Sequence, residues 1–287
     1  MKIDYLQASI LGALQGVAEL FPISSLGHSV VLPRLLGWDI HQNDDYFLAF
    51  LVATHLATAL VLLVVFRADW TRIVRGLGRS LRDREVAAGD HDARLGWLLV
   101  AGTIPAGVIG LLLEHPPRAL FASPRTAAVF LAINGVLLLA AERLRRRAPV
   151  AEAGGADTRI AERLSFREAV GIGVAQTLAL IPGISRSGAA MGGGLYAGLS
   201  NEDAARYAFL LATPIIGAAG LLKLPDLFGP AGDGVRGPAA VGAVFAAATA
   251  YGAVRFLMRY LHTNRLTPFG VYCLAAGIAA VALLSVR

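Results

Sequence analysis

Charged residues and cysteines are both scarce in this sequence of 287 residues. Only 16% of the residues are charged and 56% are hydrophobic, whereas a soluble domain carries about 25% charged residues. The single cysteine, Cys273, excludes a disulfide framework and a thiolate metal site. The N-terminus lacks a basic run with a small-residue cleavage site, so we expect no removable signal peptide. These absences exclude a disulfide-rich secreted protein and argue against a soluble one.

Apolar blocks long enough to cross a bilayer, which takes about 20 residues per helix, take up most of the chain. The mean hydropathy is +0.61. Six blocks predict simple transmembrane helices, at about 47–66, 95–113, 124–141, 204–224, 238–258 and 268–286. We therefore predict an all-α integral membrane protein that folds as a single membrane domain over residues 1–287.

Two further apolar blocks, at 6–35 and 168–199, are interrupted in the middle by Pro, Gly and Ser. A lipid-facing helix does not tolerate such an interruption, because the bilayer core offers no partners for the freed backbone groups. We interpret both blocks as re-entrant helix pairs, each of which enters and leaves the membrane on one face.

The arginines orient this topology. Segments 67–94 and 143–167 contain seven arginines each and are separated by two predicted spans, so both lie on one side, which we assign to the cytoplasm. The first re-entrant pair then opens to the outside and the second to the cytoplasm. The pI of about 9.9 follows from this positive-inside bias, so we expect no nucleic-acid partner.

The two halves of the chain, about 1–147 and 161–287, form a predicted inverted repeat, with a linker at about 148–160. A shift of 161 positions aligns identical residues in the two interrupted blocks: Gly12 with Gly173, Gln15 with Gln176, Ala18 with Ala179, Ile23 with Ile184, Ser24 with Ser185 and Gly27 with Gly188. Inverted repeats with broken helices bind their ligands where the breaks meet, near the membrane midplane. We therefore expect a site formed by both breaks.

The second break, "PGISRSG", has the composition of an oxyanion site. A helix N-terminus offers free N–H groups and a positive dipole end, and glycines let the backbone approach the ligand. The guanidinium of Arg186 matches phosphate oxygens, and an arginine at membrane depth is costly unless it is paired or functional. We predict phosphate binding by Gly183, Ser185, Arg186, Ser187 and Gly188; pairing of Arg186 with a buried carboxylate is the structural alternative.

The first break supplies reactive groups. Gln15 and Glu19 are spaced i, i+4 and share one helix face. Glu19 can ligate a hard cation with Gln15 as a second ligand, act as a base, or pair with Arg186. Ser25 and His28 can form a nucleophile and its base, His28 can attack phosphorus itself, or either can activate a water molecule. His55 and Asn134, inside predicted spans, are expected to hydrogen-bond neighbouring helices, and lining of the cavity is the alternative for His55.

The motifs "QGVAELFPISSLGH" and "PGISRSG" resemble the two signature regions of the bacterial undecaprenyl-diphosphate phosphatases of the bacitracin-resistance type. The similarity continues in "THLATALVLLVVFR", "FLLATPIIGAAGL" and "LTPFGVYCLAAG", in the same order. It implies six spans plus two re-entrant pairs in the bacterial plasma membrane. It also implies removal of the terminal phosphate of undecaprenyl diphosphate at the outer face. This reaction recycles the lipid carrier for peptidoglycan synthesis and confers bacitracin resistance.

The resemblance assigns roles residue by residue. It implies Mg²⁺ or Ca²⁺ as cofactor, held by Glu19 and Gln15, although Gln15 stands where some members have a second glutamate. It implies catalysis by Glu19, Ser25, His28 and Arg186, with Ser24 added to the phosphate-binding set. The rival hypothesis is a lipid-phosphate transporter or flippase, since inverted repeats with broken helices are transporter architecture. A homodimer is compatible with either function.

Overall fold

The computed structural model describes residues 3–42, 44–112, 123–145 and 155–286. Within these ranges the chain is helical and contains no strand. The α-helices are α1 (Tyr5–Leu20), α2 (Ser25–Leu36), α3 (Asp45–Val65), α4 (Arg67–Asp83), α5 (His91–Leu112), α6 (Pro124–Arg145), α7 (Ala156–Arg163), α8 (Phe166–Ala175), α9 (Arg186–Tyr196), α10 (Asn201–Phe228), α11 (Arg236–Thr263) and α12 (Thr267–Val286). Short 3₁₀ segments lie at Gln176–Leu180 and Pro230–Gly232.

All six predicted transmembrane helices are confirmed by their length and composition. Helices α3, α5, α6, α10, α11 and α12 are long and apolar enough to cross a membrane. The sequence block at 124–141 was slightly short, but α6 continues to Arg145. Its last turn contains Arg143 and Arg145, whose long side chains can extend from a helix end to the membrane surface. The protein is therefore a multi-pass membrane protein.

The two interrupted apolar blocks form pairs of short helices. In the first, residues 21–24 separate α1 from α2, which have 16 and 12 residues. In the second, α8 passes through the 3₁₀ segment and a turn before α9 begins, and these helices have 10 and 11 residues. Each helix is shorter than the ~20 residues that a full crossing requires. Entry and exit of each pair on one membrane face stays a prediction.

Helices α4 and α7 lie outside the predicted spans, and hydropathy alone did not find them. Helix α4 is amphipathic, and its buried face contains Asp69, Ile73, Gly76 and Ser80. Asp157 of α7 accepts a hydrogen bond from Arg206 of α10 at 2.8 Å and is also paired with Arg72 of α4. Polar contacts of this kind position both helices. The predicted linker lies partly outside the described residues, at 148–154, and its last residues already belong to α7.

Two glycines of the predicted repeat pack in the same way. A Cβ atom on Gly12 would lie 2.2 Å from the carbonyl oxygen of Gly242, so α1 and α11 touch backbone to backbone. A Cβ atom on Gly173 would lie 2.2 Å from the carbonyl oxygen of Gly102, and α8 touches α5 in the same manner. Small residues permit such close approach between membrane helices. These contacts fix the two interrupted pairs against the bundle, while the division into two halves stays a prediction.

Candidate active site

The two breaks are in direct contact at the centre of the molecule. A Cβ atom on Gly27 would lie 2.9 Å from the Cα atom of Gly183, which leaves no room for a side chain. Asn134 of α6 joins the breaks: its Nδ2 donates to the Pro22 carbonyl at 2.9 Å, and its Oδ1 accepts from the Ser185 N–H at 3.0 Å. Interhelical hydrogen bonding by Asn134, as expected, therefore holds the two halves of the site together.

Each break ends in a serine-capped helix N-terminus. The Ser24 hydroxyl accepts from the Gly27 N–H at 3.2 Å and caps α2, and the Ser185 hydroxyl accepts from the Gly188 N–H at 3.1 Å and caps α9. Helix α9 begins at Arg186, which places this side chain in its first turn. Two positive helix ends therefore meet in one place, and both favour an anion.

The backbone of the first break is strained at Ser24. This residue has φ +68°, a region that favours glycine, and it is one of two non-glycine residues with positive φ in the described part of the chain. Such conformations persist only where surrounding contacts hold them, and they are frequent at functional sites. The strained residue directly precedes Ser25.

Glu19 is the centre of the polar network. Its Oε2 accepts hydrogen bonds from Ser25 Oγ at 2.6 Å and from Gln15 Nε2 at 3.1 Å. Its Oε1 accepts from Arg186 Nη2 at 2.7 Å, across 167 positions of sequence. The residues Gln15, Glu19 and Ser25 are all buried. A carboxylate bonded to a serine hydroxyl can take its proton, so Ser25 and Glu19 have the geometry of a nucleophile and its base.

The predicted pair of Ser25 and His28 does not form in this structure. His28 Nδ1 donates to the Ser24 carbonyl at 2.7 Å, which leaves Nε2 to accept from the Tyr272 hydroxyl at 2.8 Å. The imidazole also stacks on the Tyr272 ring, with 5.8 Å between the centroids. Contacts with α12 thus turn His28 away from Ser25, whose hydrogen-bond partner is Glu19 instead.

A second histidine, for which the sequence indicated no chemical role, lies at the site. His55 of α3 is 3.4 Å from Glu19 Oε2, measured from Nε2. The sequence predicted for it a hydrogen bond to a neighbouring helix or a place in the cavity lining, and no chemistry, because it lies within a continuous apolar span. One signal was available: ionisable residues inside a membrane helix are rare and mark functional positions.

A cavity of about 670 Å³ contains these groups. The predicted residues Glu19, Ser24, Ser25, Ser185 and Arg186 line it, together with His55 and Gln176. Apolar side chains form most of the remaining wall: Leu26, Val30, Leu48, Leu51, Val52, Leu180, Ile184, Ile215 and Ile216. The predicted residues Gln15, His28, Gly183, Ser187 and Gly188 do not line it. Gln15 lies behind Glu19, and the hydroxyl of Ser187 donates to the Phe21 carbonyl.

The residues around Glu19 do not supply a complete set of protein ligands for a cation. Among the described residues, no group of three or more His, Cys, Asp or Glu side chains is arranged to hold a metal ion. The Glu19 carboxylate already has Arg186, Ser25 and Gln15 as donors. A hard cation prefers several oxygen ligands, and a guanidinium beside it is repulsive. The expected metal site on Glu19 and Gln15 stays a prediction, and Gln15 Oε1, which is buried without a hydrogen-bond partner, is an oxygen that can ligate a cation.

Comparison with known proteins gives one family. Residues 8–279 match the model of the family described as bacitracin resistance protein BacA. A relative from Mycolicibacterium paratuberculosis, named undecaprenyl-diphosphatase, is 49% identical over 99% of this chain and 99% of its own length. Undecaprenyl-diphosphatase 2 of Frankia alni is 46% identical over 100% of this chain and 98% of its own. A further relative, from Gluconacetobacter diazotrophicus, is 46% identical over 97% and 96%.

Proposed function

This chain belongs to the bacitracin resistance protein BacA family, and we propose that it hydrolyses undecaprenyl diphosphate to undecaprenyl phosphate and phosphate. The observation that carries the proposal is the 2.6 Å hydrogen bond from Ser25 Oγ to Glu19 Oε2, next to Arg186 in one cavity. Nucleophile, base and anion-binding group are thereby present together. The names of the curated relatives support the substrate.

The first chemical step is attack on the terminal phosphorus. The Ser25 oxygen forms a bond to phosphorus while its proton passes to Glu19 Oε2. The bond between phosphorus and the bridging oxygen breaks, and undecaprenyl phosphate leaves with that oxygen and its electron pair. Arg186 and the N-termini of α2 and α9 face the charge that develops on the phosphoryl oxygens.

The second step releases phosphate. Water attacks the phosphoserine, the bond between phosphorus and Ser25 Oγ breaks, and the protons pass to Ser25 and to phosphate by way of Glu19. This order restores the hydrogen bond from Ser25 Oγ to Glu19 Oε2. The cavity, at about 670 Å³, lies within the usual range of ligand sites, and its apolar wall suits the first isoprene units of the chain.

The polar residues of the cavity lining support an active site at the outer face. They include Gln42 and Asp44 just before α3, Asp45 at its start, and Lys223 near the end of α10. The arginine distribution favours a location of both segments outside the cytoplasm. A product released there is available as a carrier for peptidoglycan precursors, and its recycling would protect the cell from bacitracin, in keeping with the family description.

The test is phosphate release from a C55 or C15 prenyl diphosphate by the purified protein in detergent. We expect release by the wild type and a loss of at least about 1000-fold for Ser25→Ala, since Ser25 is the serine of the cavity lining whose hydroxyl is bonded to Glu19. Acid quenching should trap a phosphoenzyme whose phosphate maps to Ser25. Parallel assays with Mg²⁺, Ca²⁺ and a chelator test the predicted cation requirement.

Ser29→Ala is the matched control, because Ser29 is buried one turn further along α2 and does not line the cavity. We expect it to keep wild-type activity. A phosphoenzyme on His28, or none during active turnover, would contradict attack by Ser25. Wild-type protein that binds the lipid without releasing phosphate would favour the flippase.

A further inference from the structure

His55 has a fixed orientation that ends at Glu19. Its Nδ1 lies 2.8 Å from the Leu51 carbonyl, one turn earlier on α3. Since a carbonyl oxygen only accepts, Nδ1 carries a hydrogen and the ring is held by its own helix. The other nitrogen, Nε2, then faces Glu19 Oε2 at 3.4 Å. Only 27% of the His55 side chain is exposed, and the exposed part lines the cavity.

The contact between His55 Nε2 and Glu19 Oε2 requires a proton between these two atoms. A bare Nε2 lone pair would face a carboxylate oxygen, and the two would repel each other. With the proton in place the contact is attractive, and little water is present to weaken it. His55 is therefore a second partner of Glu19, on the oxygen that also accepts from Ser25.

The two partners of Glu19 named here, Arg186 and His55, differ in what substrate binding does to them. Arg186 occupies Oε1, and its Nη1 is buried without a hydrogen-bond partner. A guanidinium so placed in the cavity wall has donors to offer to an incoming phosphate. A diphosphate that takes these donors competes with Oε1 for Arg186. His55, held through Nδ1 by the Leu51 carbonyl, and the buried Gln15 contact Oε2 instead.

We propose that His55 is a positioning residue, which keeps Glu19 Oε2 directed at Ser25 when the substrate competes for Arg186. This inference rests on the proposed hydrolysis of a prenyl diphosphate. It predicts an effect on the chemical step, because the substrate is held by Arg186 and the helix ends rather than by His55.

The experiment compares His55→Ala and His55→Gln with the wild type in the same phosphate-release assay. For His55→Ala we expect kcat to fall about 10- to 100-fold with KM within about twofold, since a misdirected base slows chemistry without weakening binding. The amide nitrogen of His55→Gln can donate to Oε2, so this variant should recover kcat to within about fivefold of the wild type. Thr58→Val, one turn along α3 and buried away from the cavity, should behave as the wild type.

The outcomes are distinguishable. Wild-type kcat in His55→Ala, a rise in KM alone, or a His55→Gln variant as slow as His55→Ala would each overturn the positioning role. If His55→Ala fails to fold, His55→Gln still decides, because a well-folded but slow glutamine variant contradicts the inference. Absence of release by the wild type would instead contradict the proposed function.

Discussion

The break after α1 and the break before α9 have serine caps at equivalent positions, since Ser24 and Ser185 each accept from the backbone N–H three residues later, at 3.2 and 3.1 Å. The next residue differs: it is Ser25 in the first break and Arg186 in the second. Both side chains contact Glu19, Ser25 at Oε2 and Arg186 at Oε1. Equivalent positions thus converge on one carboxylate from two sides.

The carboxylate itself has no counterpart in the second break. The 161-residue shift that pairs Ser25 with Arg186 pairs Glu19 with Leu180. In the proposed mechanism the first break therefore contains the groups that react, whereas the second contains the group that holds an anion. Two identical breaks would bring like groups together, and two guanidiniums in one buried cavity would repel each other. The asymmetry lets one site combine attack and binding.

The largest expected effect follows from removal of the proposed base, Glu19, in the first break. Glu19→Gln keeps the shape of the side chain but cannot accept a proton, so kcat should fall about 100- to 10,000-fold. Leu180→Gln places the same amide at the equivalent position, in the apolar cavity wall, so we expect KM to rise while kcat stays within about threefold of the wild type. Phosphate-release kinetics check both variants. Equal losses of kcat in both variants would show that the reactive groups are not confined to the first break.

Arg186→Lys tests whether the second break holds the phosphate of the substrate. Lysine keeps the charge but loses the planar fork, so kcat/KM should fall about 10- to 100-fold, with a clear rise in KM. The surface variant Arg167→Lys, on α8 outside the cavity, serves as the control. Measurement of kcat and KM separately decides the point, and an unchanged KM in Arg186→Lys would argue that this side chain does not hold the substrate.

Asn134→Ala removes the hydrogen bonds that join the breaks. We expect a loss of about 1–3 kcal/mol in stability, because the Pro22 carbonyl and the Ser185 N–H lose a buried partner. Thermal unfolding in detergent measures the change, and phosphate release should fall with it. Ser285→Ala, which removes an exposed hydroxyl on α12, should leave both unchanged. A stable, fully active Asn134→Ala variant would mean that other contacts suffice to align the breaks.

The smallest effect concerns the one backbone difference between the caps. Ser24 has φ +68°, whereas Ser185 has φ −89°. Glycine should therefore be tolerated better than alanine at both caps, but the difference should be larger at position 24, by about 1 kcal/mol. Unfolding midpoints of the four single variants test this. An equal difference at both positions would indicate that the Ser24 conformation relaxes.

The fold was predictable where a local property decides it. Six apolar runs predicted six membrane helices, and Pro, Gly and Ser predicted both interruptions, because a bilayer selects helices by length and hydrophobicity. Helices α4 and α7 were not predicted because their stability comes from contacts such as the pair of Asp157 and Arg206. Their sequences are polar, and hydropathy does not detect them.

The sequence predicted which residues form the candidate site, but only some of the contacts between them. Glu19, Ser25 and Arg186 were predicted to lie together and do line one cavity. The choice of histidine was different, since proximity in sequence favoured His28 while the structure puts His55 beside Glu19. The direction of His28 depends on Tyr272, which is 244 positions away. A single sequence contains no local signal for such a contact.

The sequence by itself determined that this is a multi-pass helical membrane protein with two breaks, one rich in reactive groups and one with an arginine. These features depend on the composition of short stretches of sequence. A bilayer selects apolar stretches, and it requires every backbone polar group to be hydrogen-bonded within the protein. Only the tertiary structure decided which atoms meet: Ser25 with Glu19, Glu19 with Arg186, and His55 rather than His28 at the carboxylate. Those pairings follow from how helices that are far apart in the chain are rotated and packed against each other. A change in one such contact redirects a side chain.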